Sequence, residues 1–159
     1  MKYRKSDNLA IVGHMQARRG KGEILYSAAE HAAVRLACEE AAARYGCRAL
    51  EIPLTADGQL DLNALEGMLS EKTRMICVMQ VCNETGVIMP IKEICQLRQK
   101  LCPKAAIHVD GVQGFLRVPF SMKQCPVDSY AISAHKFHGP KGVGALYIRR
   151  GLAPANLIE

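Results

Sequence analysis

Asp128-Ser-Tyr-Ala-Ile-Ser-Ala-His-Lys-Phe-His-Gly-Pro-Lys-Gly-Val-Gly-Ala-Leu-Tyr147 decides how the rest of this chain is read. A short apolar run, Tyr130-Ala-Ile-Ser133, reads as a strand and leads straight into His135 and Lys136. A turn rich in Gly139, Pro140, Gly142 and Gly144 follows, then a second strand candidate, Ala145-Leu-Tyr-Ile148. The loop between the two runs is too short for a parallel crossover, so the second strand is expected to run antiparallel to the first or to pair elsewhere. A lysine that ends a buried strand stands at the carboxyl edge of a sheet, where α/β proteins place their ligands. The plainer reading is a solvated lysine in a surface turn.

Upstream, Ala106-Ile-His-Val-Asp-Gly-Val-Gln113 is another strand candidate, ending on Asp110 with Gln113 just beyond. A strand-end carboxylate and a strand-end amine in one α/β unit are the two groups that pyridoxal phosphate requires. The amine forms a Schiff base, and the anion pairs with the pyridinium nitrogen.

The remaining chain supplies the alternation of elements that such a sheet needs. Leu9, Ile11, Val12 and Met15 recur at helical spacing, with Ser6 or Asp7 as cap and Gly20 as stop, after an unpatterned start over Met1 to Lys5. Gly22 to Ser27 reads as a strand, and an alanine-rich helix from about His31 to Tyr45 ends on Gly46. Cys47 to Pro53 is a short strand; Asp57-Gly58 marks a turn, and Asp61 or Asn63 opens a helix through Leu62, Leu65, Met68 and Leu69. Arg74-Met-Ile-Cys-Val-Met-Gln-Val81 is nearly continuous in apolar residues, as expected of a parallel strand covered on both faces. Pro90 at the first helical position opens a helix through Ile91, Ile94, Leu97 and Leu101, which stops before Pro103. A short turn after Asp110 leads to the strand ending near Ser133. The fold class predicted is α/β: a three-layer α/β/α sandwich around a mostly parallel, mixed sheet.

Composition limits the function classes. The chain has 159 residues, enough for one domain with a substantial core. Its formal charge of +6 comes from basic residues that are scattered, with Arg18-Arg-Gly-Lys21 the densest run, and aromatic content is only 5%. Base-stacking surfaces are therefore poorly supplied, and no nucleic acid partner is expected. Cys38, Cys47, Cys77, Cys82, Cys95, Cys102 and Cys125 form no CxxC pair and no cluster with histidine, so no metal site is expected. An odd cysteine count without a signal peptide fits reduced thiols in the cytoplasm, and no run is long enough for a transmembrane helix.

Ile107-His-Val-Asp-Gly-Val-Gln113 and Ile132-Ser-Ala-His-Lys-Phe-His-Gly-Pro-Lys-Gly-Val-Gly-Ala-Leu-Tyr147 closely resemble the class V aminotransferase superfamily, and within it the cysteine desulfurases. So do Ser6-Asp-Asn-Leu-Ala-Ile11, Glu30-His31 and Cys82-Asn-Glu-Thr-Gly86, in the order shown by that family. Five matches in register are a far more specific signal than any one of them. The resemblance covers nearly all of the chain after its first five residues.

The resemblance implies a pyridoxal phosphate enzyme that takes sulfur from L-cysteine to its own thiol and releases alanine. It further implies a homodimer, a sulfur-acceptor protein as partner, and use of the sulfur in iron–sulfur cluster assembly. By the same match, Lys136 carries the cofactor and shuttles the substrate α-proton, and Asp110 pairs with the ring nitrogen. Gln113 and Asn83 lie near the phenolic oxygen, His31 stacks on the ring and assists proton transfer, and Ser133 and His135 contact the phosphate. Each has a plainer reading: Asp110 a satisfied strand-end polar residue, Asn83 a turn residue, His31 a helix cap. His14, His108 and His138 are left without a functional role.

The chain departs from the resembled family in two places. A Gly-Gly-Thr-Glu turn that cradles the phosphate is expected before Ser6, where Met1-Lys-Tyr-Arg-Lys5 stands instead, so phosphate binding is expected to be weakened. The loop with the nucleophilic cysteine, the arginine that grips the substrate carboxylate and the small C-terminal domain fall, in that family, beyond the position of Glu159. Residues 1–159 are thus expected to form a partial large domain with the small domain absent. Alternatives are a truncated, inactive α/β domain or another class V enzyme such as a selenocysteine lyase. A binding module leaves Asp110, Ser133, His135 and Lys136 unexplained.

Overall fold

The computed structural model describes residues 5–17 and 21–152. The expected start over residues 1–4, the helix stop at Gly20 and Arg18 and Arg19 of the basic run lie outside them. The elements alternate as the sequence predicts. Helix α1 (Lys5–Ala17) is followed by β1 (Glu23–Ser27), α2 (Ala32–Tyr45), β2 (Arg48–Ile52) and α3 (Leu62–Met68). Then come β3 (Thr73–Met79), α4 (Ile91–Leu101), β4 (Ala106–Asp110), β5 (Ser129–Ser133) and β6 (Gly144–Ile148). The strands form one mixed sheet in the order β2-β1-β3-β4-β5-β6. All neighbours pair in parallel except β6, which runs antiparallel to β5 with Ser133 opposite Gly144.

Period-two alternation divides the strands between two layers of helix. Leu25, Ile76, Val78, Ile107 and Val109 face Leu65 of α3 and Ile91 and Ile94 of α4. Ile24, Met75, Cys77 and Ala106 face Ile11, Val12 and Met15 of α1 and Val34, Ala37 and Ala41 of α2. The three-layer α/β/α sandwich follows. Each fully buried Ile or Leu in these layers contributes about 1.5–3 kcal/mol through the apolar surface it removes from water.

Local signals set the boundaries. Gly46 closes α2 in the left-handed conformation, φ 67°, and its amide reaches back to Ala42. Asp61 caps α3, its Oδ1 accepting from the amides of Asn63 and Ala64 at 2.9 and 3.0 Å. Three expectations are corrected. Ser6 and Asp7 lie inside α1 rather than capping it, and Asp7 is fully buried against His108 of β4. Pro90 is the residue before the first helical position, which Ile91 occupies. The connection from Asp110 to β5 is a long run of turns over residues 111–128, not a short turn, because a parallel β4–β5 pair needs a crossover even where no helix forms.

A buried polar layer ties the far side of the sheet together. Asp128 accepts the Ile107 amide at 2.8 Å and pairs with Arg149 at 2.6 Å, while the buried Arg98 donates to the Pro126 carbonyl at 2.8 Å.

Candidate functional site

The sheet places the carboxyl ends of β1, β3, β4 and β5 side by side. Every residue nominated from the sequence lies at one of these ends or in the turn that follows it. The reason is topological: parallel strands of a layered sheet all deliver their following loops to one edge.

Asp110 is the last residue of β4 and is buried, with its Oδ1 accepting the Val112 amide at 2.9 Å. Opposite it in register is Ala131 of β5, and two residues further on that strand ends at Ser133. Lys136 does not end the strand itself. It sits in a single 3-10 turn, Ala134–Phe137, one step beyond β5, and is half-buried there. Ser133 Oγ and His135 Nδ1 are 2.8 Å apart, so these two polar side chains are already paired at the exposed rim of the turn. His138, left without a role, closes the turn at φ 67° with its amide on the Ala134 carbonyl.

His31 and Asn83 meet at a second place along the same edge. Both line a cavity of about 380 Å³ at the ends of β1 and β3, together with Glu30, Cys82 and Thr85. His31 caps α2, its Nδ1 accepting the Ala33 amide at 3.0 Å. The capping reading is therefore correct, and it is compatible with a ligand role: accepting through Nδ1 fixes the ring and leaves Nε2 directed away from the helix. Asn83 is an exposed residue of the turn that ends on Gly86, φ 77°. Among the described residues, the lining of this cavity does not include Lys136, Gln113 or Ser133. The nominated residues thus fall into two groups, His31 with Asn83 and Gln113 with Ser133, His135 and Lys136, with Asp110 on the strand between.

Several residues of the site carried no role in the sequence. Glu30 precedes His31, and both of its carboxylate oxygens are buried, with the Met79 backbone as a hydrogen-bond partner. Its acidity is pushed well below that of an ordinary carboxyl by burial first, then by the charges of Asp110, Cys38 and Asp7; the Met79 backbone acts in the opposite direction. Glu30 is therefore held as the neutral acid. Burial pushes the Cys82 thiol up, but hydrogen bonds from Thr85 and from the Thr85 and Glu84 backbone outweigh it and leave the thiol more acidic than usual. Arg117 joins Gln113 to the Lys136 turn, and nothing in the sequence pattern pointed to it, because it lies in a run of turns. Tyr130, raised to about 12 by burial and then by Asp110, donates its hydroxyl to Gln80 at the end of β3.

Two further buried groups are structural. His108 Nδ1 lies 2.8 Å from Ser129 Oγ and its Nε2 3.3 Å from Asp7 Oδ1, all three fully enclosed. Cys38 and Cys77 touch at 3.7 Å across α2 and β3 as thiols. Among the described residues no group of three or more His, Cys, Asp or Glu could hold a metal ion, and no helix is long and apolar enough to cross a membrane. The larger cavity, about 650 Å³, is an apolar groove beside β6 whose side chains are apolar apart from Arg117 and the tyrosines. It lacks the paired acid and amine of the strand ends.

The cysteine desulfurase of Sinorhizobium fredii is 38% identical over 155 residues, which is 98% of this chain and 40% of that protein. A solved NifS-like protein superposes with a TM-score of 0.88 at 35% identity, covering 97% of this chain and 42% of its own. SspA, solved in complex with cysteine, gives a TM-score of 0.89 at 29% identity over 97% of this chain and 44% of its own. The chain therefore spans less than half the length of these relatives. The profile of the aminotransferase class-V family matches residues 4–156, so nearly all of this α/β sandwich, with the strand ends that carry Asp110 and Lys136, belongs to that family.

Proposed function

We propose that this chain forms the cofactor-binding part of a pyridoxal phosphate-dependent cysteine desulfurase. The observation that carries the reading is the arrangement of Asp110 and Lys136 on the ends of the adjacent parallel strands β4 and β5, beside the cavity of His31 and Asn83 on β1 and β3. The donor set fits the cofactor. A buried carboxylate suits a ring N–H, an amine in a neighbouring turn suits an aldehyde, and two rim donors, Ser133 and His135, suit a phosphate. The carboxyl of Glu30 adds a buried polar group beside the cavity.

When bound, the cofactor supplies an aldehyde for amine capture and a ring that accepts electron density. The chain's own residues do the rest. Lys136 would hold the cofactor through its amine, and the same amine would take and return the proton of the substrate α-carbon. Asp110 keeps a proton at the ring nitrogen. His31, fixed by the Ala33 amide, covers the ring with Nε2 free to exchange a proton. Gln113 and Asn83 orient the ring oxygen. A thiolate attacks the substrate sulfur, a sulfur–sulfur bond forms as the carbon–sulfur bond breaks, and the carbon takes a proton to give alanine. That thiolate is not assigned to any of the seven cysteines: burial raises the Cys47 and Cys125 thiols, and Cys82, though more acidic than usual, is itself buried and hydrogen-bonded within its turn. A homodimer in the cytoplasm and a protein sulfur acceptor, with iron–sulfur cluster assembly downstream, complete the proposal. The SspA structure with cysteine supports the substrate class.

The test is direct. Addition of pyridoxal phosphate is expected to give a visible band of lysine-bound cofactor, and borohydride reduction to leave the label on the peptide carrying Lys136. Lys136→Ala should remove both. A label spread over surface lysines, or a band that survives the substitution, would sink the reading.

A further inference from the structure

Arg117 makes three contacts that no catalytic role explains, the longest from Nη1 to the Gln113 backbone carbonyl at 3.5 Å. Its Nη1 donates to Gln113 Oε1 at 3.0 Å, and its Nη2 donates to the Lys136 carbonyl at 2.6 Å. The guanidinium therefore bridges the turn after β4 to the turn after β5. Its own backbone is held in place, with the Arg117 amide on the Gly114 carbonyl at 2.9 Å and the Gly114 amide on the Gly111 carbonyl at 3.1 Å.

A guanidinium has five N–H donors and no acceptor. The atom of Gln113 that faces Arg117 must be the amide oxygen, which leaves the amide NH2 turned to the other side. An amide free to rotate offers either a donor or an acceptor; one pinned at its oxygen turns its NH2 donors to the side away from the pin. We propose that Arg117 is a positioning residue that sets Gln113 as a hydrogen-bond donor on that side and, through the same planar fork, fixes the turn that carries Lys136. This deepens the pyridoxal phosphate reading and rests on it. The ligand atom met by Gln113 must be an acceptor, as the ring oxygen of the cofactor is, and the same clamp holds the lysine turn in the position set by that contact.

The experiment compares pyridoxal phosphate with the analogue that lacks the ring hydroxyl, in the unsubstituted chain and in Arg117→Met and Arg117→Lys. In Arg117→Met, affinity for pyridoxal phosphate should fall about tenfold further than affinity for the analogue, the scale of one charge-assisted hydrogen bond at a part-exposed site, since the analogue loses only the clamp on the lysine turn. Lysine can reach only one of the two acceptors, so Arg117→Lys should recover part of the loss. Equal losses for both ligands, or no loss, overturn the orienting role. The clamp is read separately without cofactor, by amide hydrogen exchange over residues 134–139, which should quicken about tenfold in Arg117→Met. Exchange unchanged by the substitution overturns the clamp. If the unsubstituted chain binds neither ligand, the cofactor reading itself fails, and with it the orienting role; the exchange result still decides the clamp.

Discussion

Glu30 is where single-residue chemistry departs most from what its letter in the sequence conveys. Glu30-His31 was recognisable as a pair, but only the fold brings Asp110, Asp7 and Cys38 around the same carboxyl and closes it from water. Its acid form is favoured in the folded chain, while the unfolded chain releases the proton near the ordinary value of 4.5. Folding therefore takes up a proton at Glu30, and stability due to this group is complete below that value and falls as pH rises through the folded-state value. Urea unfolding between about pH 5 and about pH 8 should show the unsubstituted chain losing stability at up to about 1.4 kcal/mol per pH unit relative to Glu30→Gln, whose amide cannot titrate. Parallel pH profiles for the two proteins would refute the assignment. Asp110 and Lys136, in contrast, were legible because they end or follow apolar runs, and strand ends are fixed by the pattern alone. The partners of those residues were not, since Arg117 sits in a connection with no periodicity and a strand pattern does not show which side chains Tyr130 meets.

At the scale of elements, pattern gave the strands and helices, and side-chain chemistry at their ends was the less certain part. Asp61 was readable as a cap and is one, with two amides on Oδ1. Asp61→Ala should cost about 1 kcal/mol in chemical denaturation. Ser6 and Asp7 carry the same capping signal but sit within α1, because burial of Asp7 against His108 outweighs the local preference. The run of turns after β4 was underestimated for a related reason: glycines that look like simple punctuation are there for space. A Cβ on Gly111 would lie 2.0 Å from Cζ of Tyr130, whose ring stacks on Phe120 at 5.0 Å and cannot swing away. Gly111→Ala should destabilise the chain by about 1–3 kcal/mol, the usual cost of overpacking. A substitution that left the urea midpoint unchanged would show that the ring has more room than this packing allows.

For the whole molecule, the order β2-β1-β3-β4-β5-β6 sets a gradient of protection. β3 is central and buried along nearly its whole length, whereas β6 is an edge strand with exposed residues and β2 is the opposite edge. Amide hydrogen exchange should be slowest in β3 and fastest in β2 and β6, since local opening needs less energy where fewer apolar contacts are broken. Equal protection of β6 and β3 would mean that the edge is covered in solution. The proposed site spans this gradient, with Asp110 at the end of a central strand and Lys136 between β5 and the edge. The residue that must release and recapture a ligand thus sits on the side of the sheet that opens more easily.

The file of Asp7, His108 and Ser129 has a mechanical meaning. The apolar face of α1, built from Ile11, Val12 and Met15, is greasy and could slide along its neighbours at modest cost. The polar contact between Asp7 and His108 could not, because a slip of one residue would leave an imidazole and a carboxylate buried without each other. It works as a detent, a single notch that indexes the helix against the sheet, so the position of everything built at the strand ends is referred to one interlocked pair.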